Sequence, residues 1–213
     1  MNSIKIKICG LKYAENIQEI TTLKPDYLGF IFWNSSIRKL DLTKMPLINE
    51  NIKKTGVFVN PSHQDVLKAI NKYKLQAIQL HGSESEIFCS QLKTANVEII
   101  KAFSIDNAFD FNQLKKYEPA VDFFLFDTKG KLPGGNGTTF DWRILNQYTI
   151  NKPYFLSGGI GLNEIENIKK FLQSKASKQC YAVDLNSKFE LEPGLKNKND
   201  LEKFIKLLYE DKI

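Results

Sequence analysis

Cysteine and histidine are scarce in this 213-residue chain, which has three of the former and two of the latter. The cysteines, Cys9, Cys89 and Cys180, lie far apart, and neither a CxxC motif nor a cysteine–histidine cluster occurs. This usage supports neither a disulfide framework nor a metal site. Reduced thiols in a reducing compartment are the simplest interpretation, so we expect a cytoplasmic protein.

Long apolar runs are also missing. No stretch of the sequence is long enough and apolar enough to cross a bilayer, and the first residues lead into a strand pattern rather than a signal segment. We therefore expect no membrane partner.

Arginine is rare as well, although the chain has a net charge of +6 at pH 7. The lysines are scattered over the predicted helices without an aromatic-basic motif, which argues against nucleic acid as a partner. A guanidinium can grip a planar anion, and Arg38, in a polar loop, is a candidate for that role. Arg143 lies inside a predicted helix, and we expect it to be structural.

What the chain does have is a regular alternation of short apolar runs and amphipathic segments. The pattern predicts eight strands, at 4–10, 27–32, 55–60, 75–80, 97–103, 123–127, 154–157 and 182–185. Helices are predicted between them at 12–23, 41–49, 61–73, 107–116, 163–173 and 198–209, with further helices starting after a Ser83–Glu86 capping box and at 140–142, where Thr139 or Asp141 is the expected cap. Eight such units predict one domain over residues 1–213, a single-domain (β/α)8 TIM barrel, because an open flavodoxin-like sheet needs fewer strands.

The first strand carries the clearest functional signal. Isoleucines alternate with Lys5, Lys7 and Cys9, and the strand stops at Gly10. Cys9 therefore ends the strand on its polar face, and the loops that follow barrel strands open on one common face where catalysis takes place. The same parity places His81 and Asp127 on the inward face of their strands.

Two of these side chains suit acid–base chemistry. A free thiol at neutral pH is mostly protonated, and Lys7, one inward layer below Cys9, would raise the thiolate fraction. Asp127 ends an apolar run, so it is predicted either to cap the following turn or to act as a general acid whose pKa is raised by its apolar neighbours.

Other candidates are weaker. His81 is isolated, and a supporting role beside the reacting groups is the better interpretation. Gly158 and Gly159 precede a helix and, with the loop after the eighth strand at Asp184 and Ser187, match the usual phosphate position of such barrels. The glycine-rich stretch at 130–137 lacks the ending of a P-loop and is interpreted as a mobile flap. No chemical role is expected for Cys89 or Cys180.

Taken in order, the motifs resemble those of the phosphoribosylanthranilate isomerase family along nearly the whole chain. They are Lys7-Ile8-Cys9-Gly10-Leu11, Gly29–Phe32 with Ser36-Ile37-Arg38, Gly56–Asn60, Gln79-Leu80-His81-Gly82, Phe126-Asp127, Gly134–Trp142, Leu156–Ile160, and Val183-Asp184 with Ser187, Glu190, Pro193-Gly194 and Lys196. Each motif is weak alone, but each stands at the right strand.

The resemblance implies an Amadori rearrangement of a phosphorylated small-molecule substrate in tryptophan biosynthesis, without a cofactor or metal. It assigns the acid to Asp127 and the base to Cys9. It also implies that the phosphate binds Gly158, Gly159 and Ser187, that Arg38 pairs with the anthranilate carboxylate, and that Asp184 orients the substrate or a lysine such as Lys7. The sequence leaves open whether the protein is a monomer or a homodimer.

The chain departs from the family pattern in three segments. Ile37 replaces the usual proline before Arg38, and Asn197 replaces an aspartate. The usual Ser-Ser-Gly after the eighth strand is Asn186-Ser187-Lys188 here, which removes a glycine but places a lysine where a phosphate is expected.

Two other phosphosugar enzymes and a non-catalytic barrel are the alternatives. An isomerase of the imidazole pathway relies on paired aspartates, and a pentose-phosphate epimerase relies on a metal with histidines. The candidate groups here are one cysteine, Cys9, and one aspartate, Asp127, and the chain has only two histidines. These observations disfavour both enzymes. A barrel that only binds a phosphorylated ligand is disfavoured because both candidate groups are present.

Overall fold

The structure is a computed structural model that describes residues 4–128 and 140–210. Eight parallel strands follow one another in chain order around a closed barrel, and β1 pairs with both β2 and β8. They are β1 (Lys5–Cys9), β2 (Tyr27–Ile31), β3 (Lys53–Phe58), β4 (Ala77–Leu80), β5 (Glu98–Ile105), β6 (Phe123–Thr128), β7 (Tyr154–Leu156) and β8 (Cys180–Leu185). The predicted (β/α)8 barrel is confirmed.

Helices cover the outside of this barrel. They are α1 (Ala14–Thr21), α2 (His63–Tyr73), α3 (Glu86–Leu92), α4 (Ile165–Leu172) and α5 (Lys198–Tyr209), and short 3-10 turns occupy most of the remaining connections. A small hairpin of β9 (Glu190–Glu192) and β10 (Leu195–Lys196) follows β8. No helix within the described ranges has the length and apolar character needed to cross a membrane.

Two predicted helices are wrong, and the helix predicted to start at 140–142 is a 3-10 helix, Trp142–Gln147. The segment 41–49 is irregular, because Pro46 supplies no backbone N–H and disfavours a helical conformation at the residue before it. In place of a helix at 107–116 the chain makes two 3-10 turns, Phe111–Leu114 and Glu118–Ala120. Aromatic packing of Phe111 on Phe126 replaces the regular helical face there.

The predicted cap of α3 is also misplaced. Ser85, not Ser83, accepts a hydrogen bond from the backbone of Phe88 at the start of the helix. Of the two caps expected after β6, Thr139 lies outside the described residues, and Asp141 does cap the 3-10 turn that follows it.

The interior of the barrel is apolar at its N-terminal end. Side chains that share the inward face of their strands form a buried cluster there: Tyr27, Ala77, Ile100, Ala102, Leu125, Phe155 and Ala182. The next positions along the same faces are polar, for example Gln79, Asp127 and Asp184. This layering fills the lower barrel and leaves room for a ligand only at the C-terminal ends of the strands.

Candidate active site

A cavity opens at the C-terminal ends of the strands, with an empty volume of about 690 Å³ that includes its solvent-open mouth. All eight predicted site residues line it: Cys9, Arg38, His81, Asp127, Gly158, Gly159, Asp184 and Ser187. Trp33 also lines the cavity and was not singled out from the sequence, whereas Gln79 and Asn186 stood in the family motifs without a predicted role. Cys9 and Asp127 come from β1 and β6, on different sides of the barrel, and meet in one pocket.

Cys9 is buried at the end of β1, with 3% of its surface exposed. Gly29 on the neighbouring strand leaves room for its sulfur, since a Cβ atom at that glycine would lie 2.6 Å from Sγ. Burial raises the pKa of the Cys9 thiol, and although Lys7 lowers it, the effect of burial dominates. At rest Cys9 is therefore a protonated thiol, because Lys7 lowers its pKa by less than burial raises it.

Lys7 and Asp184 form an ion pair below this thiol. Their Nζ and Oδ1 atoms are 2.8 Å apart, and both side chains are buried. Burial lowers the pKa of Lys7, but the nearby Asp184 and Cys9 outweigh it and hold that pKa above its ordinary value. Of the two roles predicted for Asp184, the structure shows the contact with the lysine, and Ser157 Oγ lies 3.4 Å from the other carboxylate oxygen.

Asp127 uses its two oxygens differently. Oδ1 accepts a hydrogen bond of 2.9 Å from the backbone of Thr128, so the predicted turn-capping contact is present. Oδ2 lies 3.4 Å from His81 Nε2. Gln79 Nε2 is 3.1 Å from the other ring nitrogen of His81. If Gln79 donates there, a neutral imidazole carries its proton on Nε2, facing the carboxyl group.

Arg38 is held by an acidic partner that was not predicted. Its Nε and Nη2 atoms both donate to Glu190, with distances of 2.7 to 3.0 Å. The buried Lys196 donates to the same carboxylate and to Asn186 Oδ1, each at 2.7 Å. Burial lowers the pKa of Lys196 to about 8 despite the neighbouring Glu190. Glu190 and Lys196 stood in the family motif, but nothing in the sequence indicated their mutual contact.

Two loops beside these groups line the cavity with Gly158, Gly159 and Ser187. Gly158 and Gly159 both have positive φ, +94° and +64°, and a Cβ atom at Gly158 would lie 3.0 Å from Asp127 Oδ1. The amide nitrogens of Gly158, Gly159 and Ser187 have no acceptor among the residues that the structure describes. Consecutive free amides in such a conformation are suited to binding an anion.

The family departures have local explanations. Asn186 gains the hydrogen bond from Lys196 described above, which ties down a loop that lacks the usual glycine. Asn197 caps α5 by accepting from the backbones of Asn199 and Asp200, as an aspartate would. Ile37 is 64% exposed and does not line the cavity.

The remaining sequence candidates lie outside the cavity lining. Arg143 pairs with Asp141 on the surface, Cys89 is buried in α3, and Cys180 begins β8. The glycine-rich stretch at 130–137, predicted to be a flap, falls outside the described residues.

Known proteins match the chain over nearly its full length. The model of the family described as N-(5'phosphoribosyl)anthranilate (PRA) isomerase matches residues 6–207. The N-(5'-phosphoribosyl)anthranilate isomerase of Parabacteroides distasonis is 39% identical over 205 residues, covering 94% of this chain and 91% of that protein. Two solved structures each cover 97% of this chain and 99% of their own. One is phosphoribosyl anthranilate isomerase from Thermotoga maritima (27% identity, TM-score 0.80). The other is a phosphoribosyl anthranilate isomerase in complex with reduced 1-(o-carboxyphenylamino)-1-deoxyribulose 5-phosphate (25% identity, TM-score 0.79).

Proposed function

The chain belongs to the phosphoribosylanthranilate isomerase family, aldose–ketose isomerases of tryptophan biosynthesis, and from that premise we propose its reaction and mechanism. The reaction is the Amadori rearrangement of N-(5'-phosphoribosyl)anthranilate to 1-(2-carboxyphenylamino)-1-deoxyribulose 5-phosphate by general acid–base catalysis. The observation that carries this proposal is that Cys9 and Asp127 line one pocket from different sides of the barrel.

Asp127 is the proposed general acid. It donates its proton to the furanose ring oxygen as the bond between that oxygen and C1 breaks, and the anthranilate nitrogen supplies electrons to form a Schiff base. Burial of the carboxyl group and its contact with His81 Nε2 keep Oδ2 turned into the cavity. A positioned acid of this kind typically contributes about 10²–10⁴ in rate.

Cys9 is the proposed base. Its thiolate removes the proton from C2 of the sugar, the electron pair forms the C1–C2 double bond, and the Schiff base nitrogen becomes the amine of an enolamine. That enolamine then tautomerises to the ketone: C1 takes up the proton held by the Cys9 thiol, and the proton of the C2 hydroxyl returns to the Asp127 carboxylate. The Lys7 ammonium, held by Asp184, places a positive charge below the sulfur and favours the thiolate once it forms.

Separate groups in the cavity are proposed for the two charged ends of the substrate. The phosphate is proposed to bind the free amides of Gly158, Gly159 and Ser187. Arg38 is proposed to bind the anthranilate carboxylate through Nη1, since Nε and Nη2 are committed to Glu190. The proposed contact with the carboxylate is therefore through a single guanidinium nitrogen and is not bidentate.

The cytoplasm remains the proposed compartment, because the cysteines of the chain are all free thiols. A monomer or a homodimer is proposed for the assembly.

The direct test is incubation with freshly prepared phosphoribosylanthranilate, following the loss of substrate fluorescence. Cys9→Ala and Asp127→Asn should each lower turnover by about 10² or more while leaving the fold intact. Cys180→Ala, which removes a thiol outside the cavity, is the matched control and should retain the activity. Near-normal turnover in either active-site variant would refute the mechanism, and an inactive wild-type chain would refute the reaction.

A further inference from the structure

Another buried ion pair, which the mechanism above does not use, lies outside the cavity lining. Lys101 Nζ and Glu84 Oε2 are 3.1 Å apart, and each side chain is 2% exposed. Neither residue lines the cavity. Lys101 alternates on β5 with Ile100 and Ala102, which belong to the interior cluster, so its side chain projects outwards into the layer beneath the helices.

Two of the hydrogen bonds of Lys101 go to one turn. Its Nζ donates to the carbonyl oxygens of Leu80 at 3.2 Å and Gly82 at 2.8 Å, the residues on either side of His81. A third bond goes to the carbonyl of Ala102, and the ring of Phe103 lies 5.1 Å from the ammonium. Burying a lysine ammonium destabilises the fold unless each of its three N–H groups donates a hydrogen bond. Two of the hydrogen bonds of Lys101 go to the backbone on either side of His81.

Glu84 holds the same turn from its other end. Its carboxylate accepts from the backbone nitrogens of Gly82 and Asn60, at 3.0 and 2.8 Å. Gly82 packs directly on Asn60, since a Cβ atom there would lie 2.8 Å from the Asn60 nitrogen. The turn from Leu80 to Glu84 is thereby fastened to the end of β3 as well as to β5.

We propose that Lys101 and Glu84 are positioning residues of the active site, which hold the His81 turn so that the imidazole faces Asp127. Neither group touches the substrate. Their effect reaches the reaction through the 3.4 Å contact between His81 Nε2 and Asp127 Oδ2. The catalytic consequence rests on the function proposed above, whereas the placement of His81 is measurable in the resting protein.

The test uses Lys101→Met, Glu84→Gln and the double variant. Each single change leaves one buried charge unpaired and is expected to destabilise the fold, whereas the double variant removes both charges and should regain much of that loss. It still lacks the bonds to the carbonyls of Leu80 and Gly82. The double variant therefore separates positioning from stability. The solvent-accessible pair of exposed Lys116 and half-buried Glu86, changed to Met and Gln, is the matched control.

Two readouts decide the outcome. The chain has two histidines, so a His63→Gln variant assigns their ring resonances by NMR. In the folded double variant, without substrate, the His81 ring signals should move away from the Nε2-protonated tautomer. kcat should fall by about tenfold or more, with KM changed less than about twofold. The control pair should alter neither quantity.

A folded double variant with wild-type His81 signals, or with wild-type kcat, would overturn the proposal. If the wild-type chain shows no isomerase activity, the proposed function fails by itself. The NMR measurement then decides alone whether Lys101 and Glu84 position the imidazole.

Discussion

Lys7 and Asp184 face each other inside the barrel at 2.8 Å, one layer below the thiol of Cys9. The two residues are opposite partners in the pairing of β1 with β8. A buried pair of this kind rarely adds stability over a well-packed apolar pair, because removing two charges from water costs about as much as their attraction returns. Its position below the proposed base gives it a chemical purpose instead, which is to keep a positive charge where a thiolate must form.

Loss of Lys7 should destabilise the barrel strongly. Lys7→Met leaves Asp184 buried without its partner and is expected to lower the free energy of unfolding by about 3–5 kcal/mol. Lys5→Met is the control on the same strand: its partner Asp26 is only partly buried and also accepts a hydrogen bond from the Ile6 backbone, so the change should cost less than about 1 kcal/mol. Urea unfolding of both variants measures the difference. Equal losses would show that Lys7 is not an essential partner of Asp184.

The pH dependence of the reaction should follow Cys9. Because burial raises the pKa of its thiol and the base must be the thiolate, kcat/KM should still be rising with pH at about pH 8.5, the ordinary pKa of a thiol. The measurement is kcat/KM between about pH 6 and pH 10, together with the thiolate absorbance of wild type minus Cys9→Ala. A plateau that begins below about pH 7 would contradict the assignment.

Stability in acid should depend on Glu190. Burial raises the pKa of this carboxyl group, but Arg38 and Lys196 lower it more, so its pKa lies below the ordinary value. A depressed pKa in the folded state contributes stability above the unfolded pKa of about 4.3, and this contribution is lost as the pH falls. Unfolding curves at neutral and acidic pH should therefore show a steeper loss for wild type than for Glu190→Gln. Parallel losses would mean that Glu190 gains nothing from its cationic partners.

Gly158 should not tolerate a side chain. An alanine there would adopt a φ of +94° and place its Cβ 2.6 Å from the Thr128 nitrogen and 3.0 Å from Asp127 Oδ1. The strain should cost about 1–3 kcal/mol, and displacement of Asp127 should lower kcat in addition. Gly194→Ala has a similar φ of +92°, but its Cβ would meet Lys12 instead. Equal kcat in the two variants would show that Gly158 matters only for the backbone.

The local predictions that succeeded depended on period and parity. Alternation along the first strand placed Lys7 and Cys9 on one face, and the barrel keeps both inside. The two helices that failed are segments in which a local device overrides helical periodicity, a proline within 41–49 and aromatic packing around Phe111. Ser83 has the spacing of a helix cap. In the structure the next residue, Glu84, forms an ion pair with the buried Lys101, and the helix begins at Glu86, after Ser85.

The sequence by itself determined the order of eight strands, the inward face of β1, β4 and β6, and hence that Cys9, His81 and Asp127 reach the C-terminal end of the barrel. These properties follow from local periodicity, which neighbouring residues alone define. The contact of Asp184 with Lys7 was one of two expectations from the family resemblance, and the tertiary structure shows it. Only the tertiary structure decided the pairing of Arg38 with Glu190 and of Lys101 with the turn that carries His81. Such pairs form only when strands or loops distant in sequence meet around the closed sheet, and burial there makes each unpaired charge costly enough to select its partner.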